Sequence, residues 1–268
     1  MHGLGNDFIL IDNRDGAIRE VGMADLARKL CERRLSIGAD GILLIGDSNV
    51  ADLQMRIFNA DGSEAEMCGN GIRCLAKYCY ENAIVKKTEF TVDTLAGRRQ
   101  VWLILKDNVV EAVKVDMGTV EWECSKIPMK CEGTAINSDL HADGKNYKVT
   151  CLSMGNPHCV IFVENVDEFP VENLGPIIEN HEAFPDKTNV EFVQIIKRDA
   201  IKVRVWERGC GETMACGTGA CASTVAAHKL GYTSPKVKVH LLGGVLEVSV
   251  ANHIYMTGPA VKVFEGTL

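Results

Sequence analysis

The sequence predicts an α+β protein of two pseudo-symmetric domains. Each is expected to be a strand-rich sheet or barrel curled around one central helix, with the active site in the cleft between the two. Three observations predict this. Arg56-Ile57-Phe58-Asn59 is followed after eight residues by Cys68-Gly69-Asn70-Gly71, and 148 residues further on Arg204-Val205-Trp206-Glu207 is followed at the same spacing by Cys216-Gly217-Thr218-Gly219. A shift of 150 aligns Gly5-Asn6 with Gly155-Asn156, each leading into an apolar run. Both halves also carry several short apolar runs and one helix-length run directly after the cysteine–glycine segment. A chain of 268 residues can bury two cores. The expected domains are 1–117 plus about 260–268, and 118–259.

The elements of the first half follow from period and punctuation. Phe8 to Ile11 is an apolar run after a Gly-Asn turn and reads as a buried strand. Met23 to Arg33 places Leu26, Leu30 and Cys31 on one helical face. Ile42 to Ile45 and Leu53 to Phe58 are strand-like. Ile72 to Tyr80 is apolar on nearly every side, the mark of a buried helix. Phe90–Val92, Val101–Leu105 and Val109–Val115 read as strands, with turns near Ala96-Gly97 and Lys106-Asp107-Asn108.

The second half repeats the order. Cys159–Val163, Val190–Ile196 and Ile201–Trp206 are expected strands, with a short helix over Val171–Glu179. Ala220 to Leu230 is a helix of small residues that Gly231 caps. Val237–Leu242, Val245–Val250 and Ile254–Met256 complete the set. Residues from about Gly118 to Tyr147 are hydrophilic, without clear period, and are expected to join the halves.

Composition narrows the function. A net charge of −7, with no basic run, argues against nucleic acid or an anionic membrane surface as partner. No apolar stretch approaches a membrane span, and Met1 to Asp7 lacks the basic start and apolar core of a signal peptide, so a cytoplasmic protein is expected. Eleven cysteines, an odd count, favour free thiols over a disulfide framework. Cys68, Cys74 and Cys79 share their spacing with Cys210, Cys216 and Cys221, but zinc sites pair ligands two to four residues apart and neither triplet does. No metal and no cofactor are expected.

Most of the cysteines read as small buried hydrophobes: Cys31, Cys74, Cys79, Cys151, Cys159 and Cys221 lie within or beside apolar runs. Cys68 and Cys216 differ, since each stands just before a buried helix with glycines behind it. The N–H groups of a helix start favour negative charge, so these thiols are expected to have a lowered pKa. The glycines let a substrate approach the backbone, where a carboxylate can be held. One thiolate and one opposing thiol suit a two-base proton exchange at a carbon next to a carboxylate. His158, in a repeated turn, is assigned to tuning a nearby thiol. Glu207-Arg208 stands where the first half has Asn59-Ala60, a break in the repeat suited to reading substrate asymmetry, with Arg208 a carboxylate ligand. Asn6, Asn59, Asn156 and Asn189 all lie at turns or strand ends, where asparagine is common for structural reasons.

His2-Gly3-Leu4-Gly5-Asn6-Asp7-Phe8, Phe58-Asn59-Ala60-Asp61-Gly62-Ser63, Met67-Cys68-Gly69-Asn70-Gly71, Ser153-Met154-Gly155-Asn156-Pro157-His158, and Glu207-Arg208-Gly209 with Ala215-Cys216-Gly217-Thr218-Gly219 together resemble the diaminopimelate epimerases, in order and over nearly the whole chain. The resemblance implies interconversion of LL- and meso-diaminopimelate without pyridoxal phosphate, in the pathway to lysine and peptidoglycan. It implies Cys216 as the base toward the LL isomer and Cys68 as the acid, with His158 and Glu207 adjusting the thiols. Gly69-Asn70 and Gly217-Thr218 match the segments holding the reacting carboxylate. Asn6, Asn59, Asn156, Asn189, Glu207 and Arg208 match the other substrate contacts. It also implies a homodimer and a C-terminal strand that returns to the first domain.

Two departures stand out. The chain begins one residue before the His-Gly motif, so either a shortened first strand or a misassigned start codon is expected, and Gly41 stands where some relatives carry glutamine, so one substrate contact is expected to be absent. The rival enzyme is a proline or hydroxyproline racemase, which usually has Asp-Arg-Ser-Pro before the second cysteine; here Gly211-Glu212-Thr213-Met214-Ala215 precedes it. The rival from another class is a non-catalytic redox thiol protein, which has no need of the asparagine set.

Overall fold

The computed structural model describes residues 1–18 and 22–267, so Leu268, the last residue of the expected first domain, lies outside it. Two compact units are present: Met1–Asp116 with Thr257–Leu268, and Met117–Met256. Both mix strands and helices, and the α+β class stands. Among the described residues no helix is long and apolar enough to cross a membrane.

The first unit runs β1 (His2–Gly3), β2 (Asn6–Asp12), α1 (Met23–Cys31), β3 (Gly41–Gly46), β4 (Leu53–Asn59), β5 (Glu64–Ala65), α2 (Gly69–Glu81), β6 (Glu89–Asp93), β7 (Arg99–Lys106) and β8 (Val109–Asp116). β2 lies parallel to β3, and β3 antiparallel to β4, with Gly41 opposite Asn59. β4 runs parallel to β6, and β6, β7 and β8 form an antiparallel meander. The apolar run of β3 is buried on both faces, which is why it shows no alternation. α2 is the central helix, with Ile72, Cys74, Leu75, Ala76 and Cys79 fully buried. Burial pushes the Cys74 and Cys79 thiols up to about 12 and Cys31 up to about 11, which makes them inert core residues. The C-terminal stretch closes on the start of this unit: His2 and Val261 exchange both backbone hydrogen bonds at 2.9 Å.

The second unit runs β9 (Ser138–Ala142), β10 (Lys145–Ser153), β11 (Pro157–Phe162), α3 (Val171–Glu179), β12 (Asn189–Lys197), β13 (Ala200–Glu207), β14 (Gly211–Thr213), α4 (Gly217–Lys229), β15 (Lys236–Leu241) and β16 (Gly244–Val250), and the chain leaves it within β17 (Ile254–Gly258), whose last two residues belong to the first unit. It repeats the first pattern: β11 is parallel to β12, β12 antiparallel to β13, and β13 parallel to β15. α4 is buried along most of its length, its alanines letting the strands approach closely. Gly231 takes the left-handed conformation (φ 77°) just past its end, as its sequence position demands.

Three expectations are corrected. The supposed joining segment is structured: β9 and β10 form a hairpin around Asp143 (φ 50°) and Gly144 (φ 70°), an Asp-Gly turn matched to strand twist. Leu140, Ala142, Val149 and Cys151 from it enter the second core. The helices α2 and α4 begin three residues earlier than their apolar runs, at Gly69 and Gly217, because the preceding cysteines act as caps despite the poor helix propensity of glycine. Finally, Cys124 and Cys131 are joined as a disulfide with Cα atoms 5.7 Å apart, while the other nine cysteines form no disulfide. An odd total leaves room for one local pair.

Candidate functional site

Each unit presents one cysteine as the cap of its central helix. Cys68 is extended (φ −137°, ψ 118°) and its Sγ accepts from the Gly71 N–H at 3.4 Å. Cys216 is alike (φ −111°, ψ 117°), with Sγ accepting from the Gly219 N–H at 3.3 Å. A serine-like capping geometry therefore fixes both thiols at the positive end of a helix dipole. The backbone N–H groups of such a first turn can hold a carboxylate, which is the use expected of Gly69-Asn70 and Gly217-Thr218.

Around Cys68 the contacts are amides. Its Sγ donates to Asn6 Oδ1 at 3.5 Å, and Asn70 Nδ2 donates to the same oxygen at 3.2 Å. Asn6 Nδ2 in turn donates to Asp40 Oδ2 at 2.7 Å, and Arg33 ties Asp40 to Asp7 at 2.8 and 2.6 Å. Asn70 is braced from behind by the fully buried Arg73, whose Nη2 donates to Asn70 Oδ1 at 3.0 Å. The other Arg73 nitrogens reach Gly69 O at 2.9 Å and Pro259 O at 3.1 Å. Asn59 stands apart, closing the turn to Ser63 at 3.0 Å. Beside it, a Cβ on Gly41 would lie 2.6 Å from Phe58 O, so a side chain there would force the backbone to shift.

Around Cys216 the contacts include acids and an imidazole. The Glu207 carboxyl group acts on the Cys216 thiol by charge and accepts a hydrogen bond from the Thr213 hydroxyl. Thr218 Oγ1 lies 3.5 Å from Cys216 Sγ and accepts from Asn156 Nδ2 at 3.3 Å. Asn156 Oδ1 is 2.9 Å from His158 Nε2, and His158 Nδ1 is 2.7 Å from Glu191 Oε1. Asn189 spends both ends of its amide on backbone, donating to Pro157 O at 2.8 Å and accepting from the Arg208 N–H at 3.0 Å. It braces the two turns that carry His158 and Arg208. The Arg208 guanidinium rests on Asp186 O at 3.1 Å.

The expected lowering of the second thiol is reversed. Burial, then the charges of Glu207 and Glu191, push Cys216 well above the ordinary thiol range, outweighing the Thr218 and Gly219 hydrogen bonds. The helix start acts as expected, but loss of water acts more strongly. Burial likewise raises Glu207, against the lowering effect of the Thr213 hydrogen bond.

The structure thus gathers Asn6, Cys68, Gly69 and Asn70 in one group, and Asn156, His158, Glu207, Cys216, Gly217 and Thr218 in another. Three residues the sequence reading passed over support them. Asp40 anchors Asn6, Arg73 anchors Asn70, and Glu191 anchors His158. The signal for two of them was a charge inside an apolar run: Arg73, with Lys77, within Ile72–Tyr80, and Glu191 alone within Val190–Ile196. Among the described residues no three His, Cys, Asp or Glu side chains are grouped to hold a metal ion.

Comparison with known proteins adds to this geometry. The family model described as diaminopimelate epimerase matches residues 1–123 and 150–263. The diaminopimelate epimerase of Moorella thermoacetica is 51% identical over 99% of this chain and 96% of its own length. That of Methanococcus maripaludis is 48% identical over 100% of this chain and 98% of its own. Among solved structures, a hydroxyproline epimerase from Agrobacterium vitis superposes with a TM-score of 0.70 at 14% identity, over 96% of this chain and 87% of that one. A methylitaconate-delta-isomerase gives 0.68 at 13% identity, over 99% and 92%. At such identities these two share the fold only.

Proposed function

The chain belongs to the diaminopimelate epimerase family, and from that premise we propose that Cys68 and Cys216 carry its reaction as a two-base proton exchange. It is an epimerase acting on 2,6-diaminopimelate; the racemase and redox-thiol readings have no comparable support. The observation that carries the assignment is the repeated cysteine cap, one at the head of the central helix of each unit.

In the LL-to-meso direction the Cys216 thiolate takes the α-proton, the C–H electron pair delocalises into the carboxylate, and the Cys68 thiol delivers a proton to the opposite face. Cys216 ends as the thiol and Cys68 as the thiolate, which is the starting state for the reverse reaction. Gly69-Asn70 and Gly217-Thr218 hold the reacting carboxylate by backbone N–H groups. Asn6, Asn59, Asn156, Asn189, Glu207 and Arg208 read the rest of the substrate, Arg208 by its charge on the distal carboxylate. No cofactor takes part. The product serves lysine and peptidoglycan precursor synthesis, and the reactive thiols suit the reducing cytoplasm. The chain acts as a homodimer, a reading supported by the family resemblance and tested by sedimentation of the purified enzyme.

The test of the reaction is proton NMR of the reduced enzyme with LL-diaminopimelate in heavy water and no added cofactor. Loss of the α-proton signal together with formation of the meso isomer is expected. Exchange with proline or hydroxyproline instead would overturn the substrate assignment. A pH dependence also follows. Turnover needs one proton shared between two thiols, and burial holds Cys216 in the neutral form. Below the pH at which the pair first ionises, kcat/KM should therefore rise about tenfold per pH unit in both directions. A flat profile across neutral and mildly alkaline pH would contradict it.

A further inference from the structure

The two halves match in backbone but not in what lies beneath their thiols. Glu191 and Leu43 are 148 residues apart, the spacing that relates the cysteines, and His158 and Phe8 are 150 apart. The structure keeps that equivalence. A Cβ on Gly71 would meet Leu43 Cδ2 at 2.9 Å and Cys68 Cβ at 3.5 Å, whereas a Cβ on Gly219 would meet Glu191 Oε1 at 2.8 Å and Cys216 Sγ at 3.2 Å. Leu43 and Phe8 are buried apolar residues. In their places the second unit buries a carboxyl group and an imidazole, both with side chains at 0% exposure and in contact at 2.7 Å. Burying such a pair is costly unless it serves a purpose.

Its hydrogen bonds constrain its protons. His158 Nε2 faces the carbonyl oxygen of the Asn156 amide, so that nitrogen carries a hydrogen. The contact between Nδ1 and Glu191 Oε1 then needs one more proton, on either atom. Glu191 Oε2 is buried without a partner, so the carboxylate's charge is offset at Oε1, across its contact with His158, while the same Oε1 lies beside the Gly219 position that also meets Cys216 Sγ. We propose that Glu191 is a positioning residue of the proton exchange: through His158 it fixes the Asn156–Thr218 chain, and through its own charge it makes Cys216 electrostatically distinct from Cys68. The inference rests on the two-thiol reading above. The titratable groups packed around Glu191 are His158 and Cys159 on β11, with Cys151 on β10 behind them, Glu207 on β13 and Cys216 at the head of α4.

The test compares the wild-type enzyme with Glu191→Gln, which keeps shape and a donor for Nδ1 but removes the carboxylate. Protein labelled at the cysteine β-carbon is titrated by NMR, with the Cys68 and Cys216 signals assigned by their loss in the alanine variants. In Glu191→Gln the Cys216 midpoint should fall by about one pH unit, a tenfold gain in thiolate at fixed pH. The Cys68 midpoint should not move, and imidazole nitrogen NMR should show a His158 hydrogen kept on Nε2. Glu191→Leu, the residue of the first half, should lower the Cys216 midpoint as well but release the His158 tautomer. A Cys216 titration unchanged in Glu191→Gln, or equal shifts at both thiols, would overturn the inference. Failure of the two-thiol reading is separate: it would appear as epimerisation persisting in Cys216→Ala.

Discussion

Replacing either Cys68 or Cys216 with alanine is expected to lower epimerisation by about 10³-fold or more, the range of a lost general acid or base. Loss of either thiol should be nearly as damaging as loss of both, because the two act as one unit. The stereochemistry of what remains is the sharper readout. With Cys68→Ala in heavy water, residual exchange should place deuterium in the LL isomer with retention, since Cys216 can remove and return a proton on one face only. Retention from the meso side is expected for Cys216→Ala. Inversion surviving in either variant would sink the two-base assignment. Both thiols are helix caps, so part of any loss could reflect folding; serine keeps the cap and separates the effects. The serine variants should fold like the wild type and remain severely impaired, as a hydroxyl is a far weaker acid than a thiol.

The largest expected stability effect lies at Arg73. Its side chain is fully buried and donates to Gly69 O, Asn70 Oδ1 and Pro259 O, tying the helix start to the returning C-terminal segment of the same unit. Arg73→Met roughly preserves length and apolar volume but strands those acceptors. An unsatisfied buried polar group costs about 1–3 kcal/mol, and the three are not additive, so a loss of about 3–5 kcal/mol is expected. Urea unfolding followed by circular dichroism checks it, through a lower midpoint at unchanged slope. A loss below about 1 kcal/mol would mean that water replaces the guanidinium. Because Arg73 also orients Asn70, the variant should bind substrate more weakly even well below its melting point.

Much of the fold was legible because period and punctuation are local. The buried run of β3, the alternation of β7 and β8, and the full span of α3 follow from side-chain spacing alone. The hairpin β9–β10 was missed because its alternation is broken by lysines and asparagine, although Asp143-Gly144 marks its turn. Apolar period starts the helices at Ile72 and Ala220, since glycine is a poor helix former, whereas the cysteine caps set the starts at Gly69 and Gly217. At the candidate site, the repeat singled out both thiols, since a duplicated unit keeps its motifs at one spacing. Asp40 and Glu191 are not legible because their partners Asn6 and His158 lie 34 and 33 residues away, and Arg73 because its tie to Pro259 spans 186 residues although Gly69 and Asn70 are near.

The sequence by itself determined the class, the duplication, the membership and the pair of cysteines each set before a buried helix. All of these are written in composition, spacing and long motifs. Only the tertiary structure decided the electrostatics. A helix start alone would lower a thiol pKa, yet packing removes water from Cys216 and sets Glu207 and Glu191 beside it, and the balance reverses. The cost of desolvating a charge depends on everything within a few ångströms, and most of those atoms come from other strands.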